Sequence, residues 1–589
     1  MDTGEQQPGL PDIAGAQRTA PAPRQRPAGR VDLAVRPGPA AGRWRAVAAW
    51  IGGGLVLAAF SLRISLSHPV NSDGANNALQ AWDMLHGNYT LHNWVLGDAT
   101  YYTFDLPVIA ITEIFLGLHT ITSYVASALT YLIVVACAVA VAVTDSRGPA
   151  RAARSGVVVA VMAAPLLANV LTPLGQPDHT GTSAILLVAF LLIDRFPGRR
   201  FTSPLLCAIL CLGQIGDGTM RFVAVPVIVV VSVYRVLAAR KIRVGDSAIA
   251  VAAVASVPLA TLVRAEMLRM GAYSMIAPKT SLAPAAQLPH HAALALHQIR
   301  MLYGTIVVPG AVLGSVGTAF GLACLLAAAF GFLRIAWTWR TARRAEQLLY
   351  VAIVVNVAAY IFSTIPVPSN NYELVAVLSC GAILAARGLV PGRIAGRRRA
   401  RVAVALACLA ALFPLTAAAT MPSAAQRTAP LATWLEAHGL RYGIGWYWDA
   451  SMVTVQSAGQ VQVRAVSAVP QGIGAYDWET DAAWYDPSQH DATFVVAPLA
   501  HQQDWFTGAM YNHFGRPAAT YREAGVLILV YRKNLLSQVL PALPLQAAIS
   551  RGQAAGVLLP GRASWPGFLA GGHRSAAGLG PAMAWSAPR

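Results

Sequence analysis

The sequence predicts a mainly α-helical, polytopic membrane protein of about eleven transmembrane helices, with a small extracytoplasmic α/β domain near its C-terminal end. Hydrophobic residues make up 56% of the 589 residues, whereas only 12% are charged, which is about half the charged fraction of an ordinary globular protein. The formal net charge is +18, but the basic residues lie in short clusters between long apolar runs. That pattern is typical of a membrane protein and excludes both a soluble enzyme and a nucleic-acid partner.

Composition divides the chain into four predicted regions. Residues 1–42 are rich in Pro, Ala and Gly and predict a disordered cytoplasmic tail. Residues 43–420 form the multi-span domain, residues 421–535 the extracytoplasmic domain, and residues 536–589 a low-complexity tail. The predicted spans are residues 46–66, 122–143, 155–171, 181–194, 202–216, 222–239, 247–263, 305–333, 348–365, 373–391 and 402–420.

Loop charge predicts the orientation of these spans. Basic residues crowd every second loop, for example around Arg147, Arg199 and Arg240, and are sparse in the loops between them. By the positive-inside rule the N terminus is cytoplasmic, and the region after residue 421 lies outside. That region is rich in Trp and Tyr, with a helical pattern near 430–438 and strand patterns near 441–447, 461–465, 493–497 and 525–531.

The loop 67–106 is predicted to lie outside and contains no Lys or Arg. Within it, Asp73 and Asn77 recur at helical spacing, and Asn71 or Ser72 can cap a helix that places Asp73 in its first turn. An ionised carboxylate held there can act as a general base. The alternative, that Asp73 only stabilises the start of the helix, is equally compatible with the pattern.

Three further acidic positions fall on the same predicted face. Asp105 precedes Pro107 and is expected to cap a helix, and Asp178 with His179 brings a carboxylate and an imidazole to the start of a span. Glu373 begins another span, where helix-start stabilisation competes with function. The turn containing Asp217 is interpreted as structural.

The loop 264–304 is predicted to bring cationic side chains to this face. Arg264, Lys279 and Arg300 suit a lipid-linked phosphate, which needs charge compensation, or alternatively the headgroups of anionic lipids. The neighbouring His290 and His291 offer two ligands for a divalent metal, but no third ligand stands at a convincing spacing. No metal site and no cofactor is firmly implied, and the six cysteines lie in or beside apolar runs.

The segment from Asn71 to Asn88, with its Asp-containing helix after the first span, resembles the GT-C integral-membrane glycosyltransferases. The similarity is greatest to the group of protein O-mannosyltransferases and aminoarabinose transferases. It implies a many-helix membrane core, a polyprenyl-phosphate sugar donor, Asp73 as the catalytic base and Asp178 as the acidic residue of the second outer loop. It also places Asp105-Leu106-Pro107 at the family's Pro-containing motif.

Two departures accompany the resemblance. The family often has Asp-Glu where this chain has Asp73-Gly74, and it tends to place Arg beside a late Tyr or Glu where this chain has Asn371 before Tyr372. The second departure moves the expected donor-phosphate site to the loop 264–304.

The resulting expectation is an inverting glycosyltransferase of the plasma membrane, which moves a sugar from a polyprenyl phosphate to a glycan, lipid or protein acceptor of the cell envelope. The alternatives are a transporter or flippase of lipid-linked sugars, or a non-catalytic membrane protein. A transporter predicts ionisable residues in the middle of the spans, whereas the charges here crowd the outer boundary. Trp446, Tyr447 and Trp448 either stack on a sugar or pack within their domain. The predicted site comprises Asp73 and Asp178 as catalytic residues, Arg264, Lys279 and Arg300 at the donor phosphate, and Asp105, His179 and Asn77 in support.

Overall fold

The computed structural model describes residues 39–67, 70–163, 179–240, 243–276, 281–306, 312–366, 371–390, 429–499 and 504–540. Contacts divide the chain into two compact units, Met1–Gly54 and Leu55–Arg589. The second unit contains all the candidate site residues. Its helical part and its β-containing C-terminal part confirm the predicted mainly helical class.

Helices form where the sequence has long apolar runs, because a helix satisfies every backbone hydrogen bond internally. Ten of the eleven predicted runs carry a helix, and the run 402–420 lies outside the described residues. The helices are α1 (Pro39–Ser65), α2 (Ser72–Leu85), α3 (Asp105–Leu116), α4 (Thr120–Ala142), α5 (Pro149–Met162), α6 (Thr180–Arg195), α7 (Thr202–Gly216), α8 (Met220–Val223), α9 (Val225–Ala238), α10 (Val244–Arg269), α11 (Leu288–Leu302), α12 (Val312–Thr338), α13 (Arg344–Phe362) and α14 (Val375–Leu389).

Five helical segments in the described part of the chain are long and apolar enough to cross a membrane. The predicted total of about eleven spans is therefore not confirmed, although three shorter apolar helices accompany these five. The spans expose large apolar side chains such as Val251 and Leu262, as a lipid-facing surface does. The five segments are Thr120–Ala142, Met220–Ala238, Val244–Arg269, Val316–Thr338 and Arg344–Phe362.

The core of the helical part lies between α4, α6 and α14, where Tyr131, Phe190 and Ile383 are fully buried. At one end of this core, Asp145 in the α4–α5 turn forms ion pairs with Arg154, with Arg343 (3.3 Å) and with Arg387 (3.9 Å). These ion pairs tie the turn to α5, α13 and α14.

Strands in the C-terminal domain occur at all four predicted patterns. Its elements are α15 (Ala429–Ala437), β3 (Tyr442–Gly445), α16 (Tyr447–Gln456), β4 (Gln462–Val469), β5 (Gly472–Ala475), β6 (Thr480–Asp481), β7 (Phe494–Pro498), α17 (Asp504–Phe514), β8 (Ala519–Glu523) and β9 (Val526–Val530), with β1 (Trp94–Leu96) and β2 (Ser274–Met275) earlier in the chain. The domain is built around a six-stranded sheet of order β5-β4-β3-β7-β9-β8. The central strand β3 runs parallel to β4 and β7, whereas the three outer pairs are antiparallel.

A second, three-stranded sheet of order β2-β1-β6 joins distant parts of the chain. Trp94 of β1 pairs antiparallel with Asp481 of the C-terminal domain, and Val95 pairs parallel with Ser274. Gly97 follows β1 where a Cβ atom would lie 2.9 Å from the indole ring of Trp478. The loop 67–106 is thus held against both the residues after α10 and the C-terminal domain.

Candidate active site

Asp73 lies in the first turn of α2, as the sequence predicts. The side chain of Asn71 caps the helix by accepting a hydrogen bond from the Gly74 N–H (3.0 Å). The Asn71 amide also donates to Asp73 Oδ2 (3.2 Å). The hydrogen bond from Asn71 restricts the orientation of the Asp73 carboxylate. Because Asp73 is only partly buried, the carboxylate stays accessible from outside the helix.

Tyr447, the first residue of α16, reaches the same carboxylate from the C-terminal domain. Its hydroxyl donates to Asp73 Oδ1, and its backbone carbonyl accepts a hydrogen bond from the Ser72 hydroxyl. Tyr447 is buried, and burial, together with the charges of Asp73 and Glu479, raises the pKa of its phenol well above 10. The phenol therefore remains protonated and keeps its role as a donor.

Glu479 and Asn76 complete this cluster. The Ser451 hydroxyl donates to Asn76 Oδ1, which leaves the Asn76 amide nitrogen 3.4 Å from the Tyr447 hydroxyl and 3.5 Å from Glu479 Oε2. Glu479 Oε2 is also 3.4 Å from the Tyr447 hydroxyl. We call Asp73, Asn76, Tyr447, Ser451 and Glu479 the Asp73 cluster.

Asn77, predicted as a supporting residue, lies one turn after Asp73 and is 2% exposed. Its Oδ1 atom has no hydrogen-bond partner among the described residues. A buried carbonyl oxygen without a partner is costly, and this one stands on the helix that carries Asp73.

A second polar cluster forms around His179. His179 precedes α6 in a left-handed conformation (φ 49°), which is uncommon for a residue other than glycine. Its Nδ1 atom lies 2.6 Å from Asp217 Oδ2, and its Nε2 atom lies 3.8 Å from Glu373 Oε1. Three loops that are far apart in the sequence therefore meet at one imidazole.

Asp217 is the most strongly held carboxylate of this cluster. Burial alone would raise the pKa of Asp217, but the facing His179 and the hydrogen bonds from His179, Thr182 and the Thr219 N–H lower it to about 2. The turn interpreted as structural from the sequence thus also supplies the partner of His179. Asp178, the predicted partner in catalysis, lies outside the described residues.

Asp105 is buried at the start of α3, next to Gly181 of α6. The expected capping role is not observed, because Asp105 occupies the first helical position and Phe104 stands at the N-cap. Asp105 and Asp217 line one small cavity, together with Tyr101, Thr103, Phe104, Thr182, Ile185, Gly213 and Gly216.

The predicted phosphate-binding residues lie in different environments. Arg264 is in the last turns of α10, where its guanidinium contacts Met275 Sδ (2.6 Å) and lies within electrostatic range of Arg221. Arg300 is exposed in the last turn of α11, and Lys279 lies outside the described residues. Arg221 belongs to the turn that is interpreted as structural from the sequence.

The aromatic residues at the start of α16 divide into two groups. Trp446 packs edge-on against Phe506 (5.3 Å between ring centroids), and Tyr447 is buried in the Asp73 cluster. Trp448 is 41% exposed. Trp446 therefore packs within the domain and Tyr447 contacts α2, whereas Trp448 is accessible from outside.

Within the described residues, no group of three or more His, Cys, Asp or Glu side chains is arranged to hold a metal ion. His291 is buried, with Nδ1 3.0 Å from the Ile361 carbonyl oxygen.

The fold of the chain is similar to that of a protein of known structure. The crystal structure of ArnT from Cupriavidus metallidurans in the apo state superposes with a TM-score of 0.52 at 14% identity, over 84% of this chain and 100% of ArnT. The structure of ArnT bound to undecaprenyl phosphate gives a TM-score of 0.50 at 14% identity, over 84% of this chain and 99% of ArnT. The chain has the fold of ArnT. The many-helix core that the resemblance of the segment Asn71 to Asn88 implies is therefore confirmed at the level of the fold.

Similarity beyond this fold is weak. The archaeal oligosaccharyltransferase AglB from Archaeoglobus fulgidus, in complex with an inhibitory peptide and a dolichol-phosphate, has a TM-score of 0.42 at 12% identity, over 78% of this chain and 70% of AglB. That value is too low to support an inference. No protein-family model matches the sequence, and no curated protein matches it at a significant level.

Sequence reasoning missed three residues that this ArnT-like fold brings to the site. Glu479 and Asp217 meet their partners only through contacts between loops, and Arg221 lies within electrostatic range of Arg264. Asp217 stands between two glycines and Arg221 follows in the same short turn, so the turn itself was the only available signal. Glu479 had none.

Proposed function

We propose that this protein is a membrane glycosyltransferase that uses a polyprenyl-phosphate-linked sugar as its donor and acts at the outer face of the plasma membrane. The ArnT-like fold carries this proposal, because ArnT has been crystallised with undecaprenyl phosphate. The apolar helices and the partly buried Asp73 at the start of α2 support it. The acceptor is a hydroxyl group of an envelope glycan, lipid or protein.

The proposed reaction is a single displacement. Asp73 removes the proton of the acceptor hydroxyl as the acceptor oxygen forms a bond to the anomeric carbon. The bond between that carbon and the phosphate oxygen breaks, and the leaving polyprenyl phosphate takes the electron pair. One displacement inverts the anomeric configuration. A phosphate is a good leaving group, so a base and charge compensation suffice without a paired general acid.

Charge compensation falls to the cationic residues near the ends of the spans. Arg264 is the residue that we place at the donor phosphate, and Arg221 lies within electrostatic range of it. Lys279 and Arg300 are further candidates for this role, and Asp178 for a second acidic role. Asp105, His179 and Asn77 are proposed to support the site from α3, α6 and α2.

A transfer assay tests the proposal. Full-length protein in proteoliposomes is given undecaprenyl phosphate carrying a labelled hexose or pentose, with host membranes as the acceptor source. Asp73→Asn is expected to lower turnover by about 10²- to 10⁴-fold, as loss of a general base does, and Asp178→Asn is measured beside it. Asp98→Asn serves as the matched control, because Asp98 is a carboxylate of the same loop that accepts a hydrogen bond from the Ala99 N–H.

Unchanged turnover in both Asp73→Asn and Asp178→Asn would end the proposed mechanism. Movement of the labelled donor across the bilayer without any transfer would instead favour a flippase.

A further inference from the structure

The Asp73 cluster joins the helix α2 to the C-terminal domain by several hydrogen bonds. Ser72, Asp73 and Asn76 each contact α16, through the Tyr447 carbonyl, the Tyr447 hydroxyl and the Ser451 hydroxyl respectively. The pairing of Trp94 with Asp481 fixes the same loop to the same domain a short distance away. The C-terminal domain is therefore in direct contact with the residue that the proposed reaction needs.

The hydrogen bonds have a definite direction. A phenol carries one proton and can donate it to one acceptor at a time. The Tyr447 hydroxyl is much closer to Asp73 Oδ1 than to Glu479 Oε2, which is 3.4 Å away. Glu479 is instead within reach of the Asn76 amide, whose orientation is set by Ser451. The proton of Tyr447 is thus directed at Asp73.

We propose that Tyr447 is a positioning residue for Asp73 and that the neighbouring Glu479 carboxylate acts on the ionisation of Asp73; this inference rests on the proposed function. A carboxylate can rotate about its Cβ–Cγ bond, and only one of its lone pairs can point at the acceptor proton. Donation from Tyr447 to Oδ1 and from Asn71 to Oδ2 fixes that rotation. The C-terminal domain then forms part of the active site, because it orients the base.

The two residues act on the charge of Asp73 in opposite directions. A hydrogen bond donated to a carboxylate favours its ionised form, whereas a neighbouring carboxylate disfavours it. Without the Tyr447 hydroxyl, the Asp73 carboxyl group should therefore ionise only at a higher pH. Without the charge of Glu479, it should ionise at a lower pH. A purely structural role of either residue predicts neither shift.

The test compares Tyr447→Phe, Glu479→Gln and Asp73→Asn in full-length protein, with the transfer assay run across pH 4–9. Tyr447→Phe is expected to lower kcat by about 10- to 100-fold, the factor that corresponds to losing a hydrogen bond to a charged group, with KM unchanged. The acidic limb of its kcat/KM profile moves to higher pH. For Glu479→Gln the acidic limb moves to lower pH.

Tyr485→Phe is the matched control. Tyr485 is a buried tyrosine of the same domain, and its hydroxyl donates to the Ala465 carbonyl. Its loss perturbs folding in a comparable way without touching Asp73, so both kcat and the pH profile should match wild type after correction for folded protein.

The outcomes distinguish the positioning role of Tyr447 from the proposed function. If Asp73→Asn is inactive but Tyr447→Phe keeps the wild-type kcat and pH profile, the positioning role is wrong and the proposed function stands. A Tyr447→Phe enzyme that turns over faster than wild type also contradicts positioning, because the phenol would then restrain Asp73. If Tyr447→Phe does not fold, the direction of the Glu479→Gln shift decides alone. Full activity of Asp73→Asn rules out Asp73 as the base and with it the positioning role, whereas the absence of any transfer by the wild-type protein overturns the proposed function itself.

Discussion

Replacing Asp217 by Asn should destabilise the protein at neutral pH, and the destabilisation should shrink as the pH falls. The pKa of Asp217 is lowered from an ordinary value of 3.8 to about 2, because His179, Thr182 and the Thr219 N–H outweigh the opposing effect of burial. A carboxyl group with a lower pKa in the folded state stabilises the fold above its unfolded-state pKa, and loses that contribution as the pH falls toward the folded-state value.

The size of the effect follows from the pKa difference. At pH 7 the ionised carboxylate contributes about 2 kcal/mol to the free energy of unfolding, and near pH 3 about half of that remains. Unfolding of the detergent-solubilised protein by SDS titration at pH 7, 5, 4 and 3 measures the difference between wild type and Asp217→Asn. Asp98→Asn is the control, since Asp98 lacks a facing imidazole among the described residues. A difference that is absent at pH 7, or that stays constant down to pH 3, would refute the role assigned to His179.

Three further predictions concern stability. Gly97→Val should displace the indole ring that packs on Gly97 and lower the free energy of unfolding by about 1–3 kcal/mol; Gly508→Ala, with open space around it, should not. Asp145→Asn should cost about 2–4 kcal/mol, because it removes the carboxylate that Arg154, Arg343 and Arg387 share. Asp449→Asn should stabilise the protein at pH 7 by about 1–2 kcal/mol, because burial raises the pKa of Asp449 to about 6 and ionising it at neutral pH costs energy.

The same SDS titration checks all three. Gly97→Val and Gly508→Ala with equal midpoints would contradict the close packing of the loop on the C-terminal domain. If Asp145→Asn leaves the free energy of unfolding unchanged, the ion pairs of Asp145 contribute little to stability. For Asp449, wild type should become more stable relative to the Asn variant as the pH falls from about 7 to 4, and the opposite trend would contradict the raised pKa.

Features that depend on near neighbours in the chain were predictable. The Asn71 cap and the place of Asp73 in the first turn of α2 follow from residues within three positions of each other. Strands of the C-terminal domain were recognisable where β-branched residues alternate, as Val526, Ile528 and Val530 do in β9. The strands β1, β2 and β6 are two or three residues long, and such short segments carry no periodic signal.

The predicted helix cap at Asp105 is an example of a local sequence rule that fails. The residue type and the nearby proline favour an N-cap, but α3 starts one residue earlier than that rule requires. Packing against Gly181 of another helix places the Asp105 carboxylate in a buried cavity instead. A contact between helices therefore overrides a preference of about 0.5–2 kcal/mol.

The sequence by itself determined the membrane class, most helix positions and the start of α2, because hydropathy and helix capping act over one span or one helical turn. Tertiary structure alone decided which charged groups meet. Tyr447 and Asp73 are 374 positions apart in the chain, and His179 reaches Asp217 only because α6 and α7 pack side by side. Such meetings depend on the packing of the whole helical core, which no short stretch of sequence encodes.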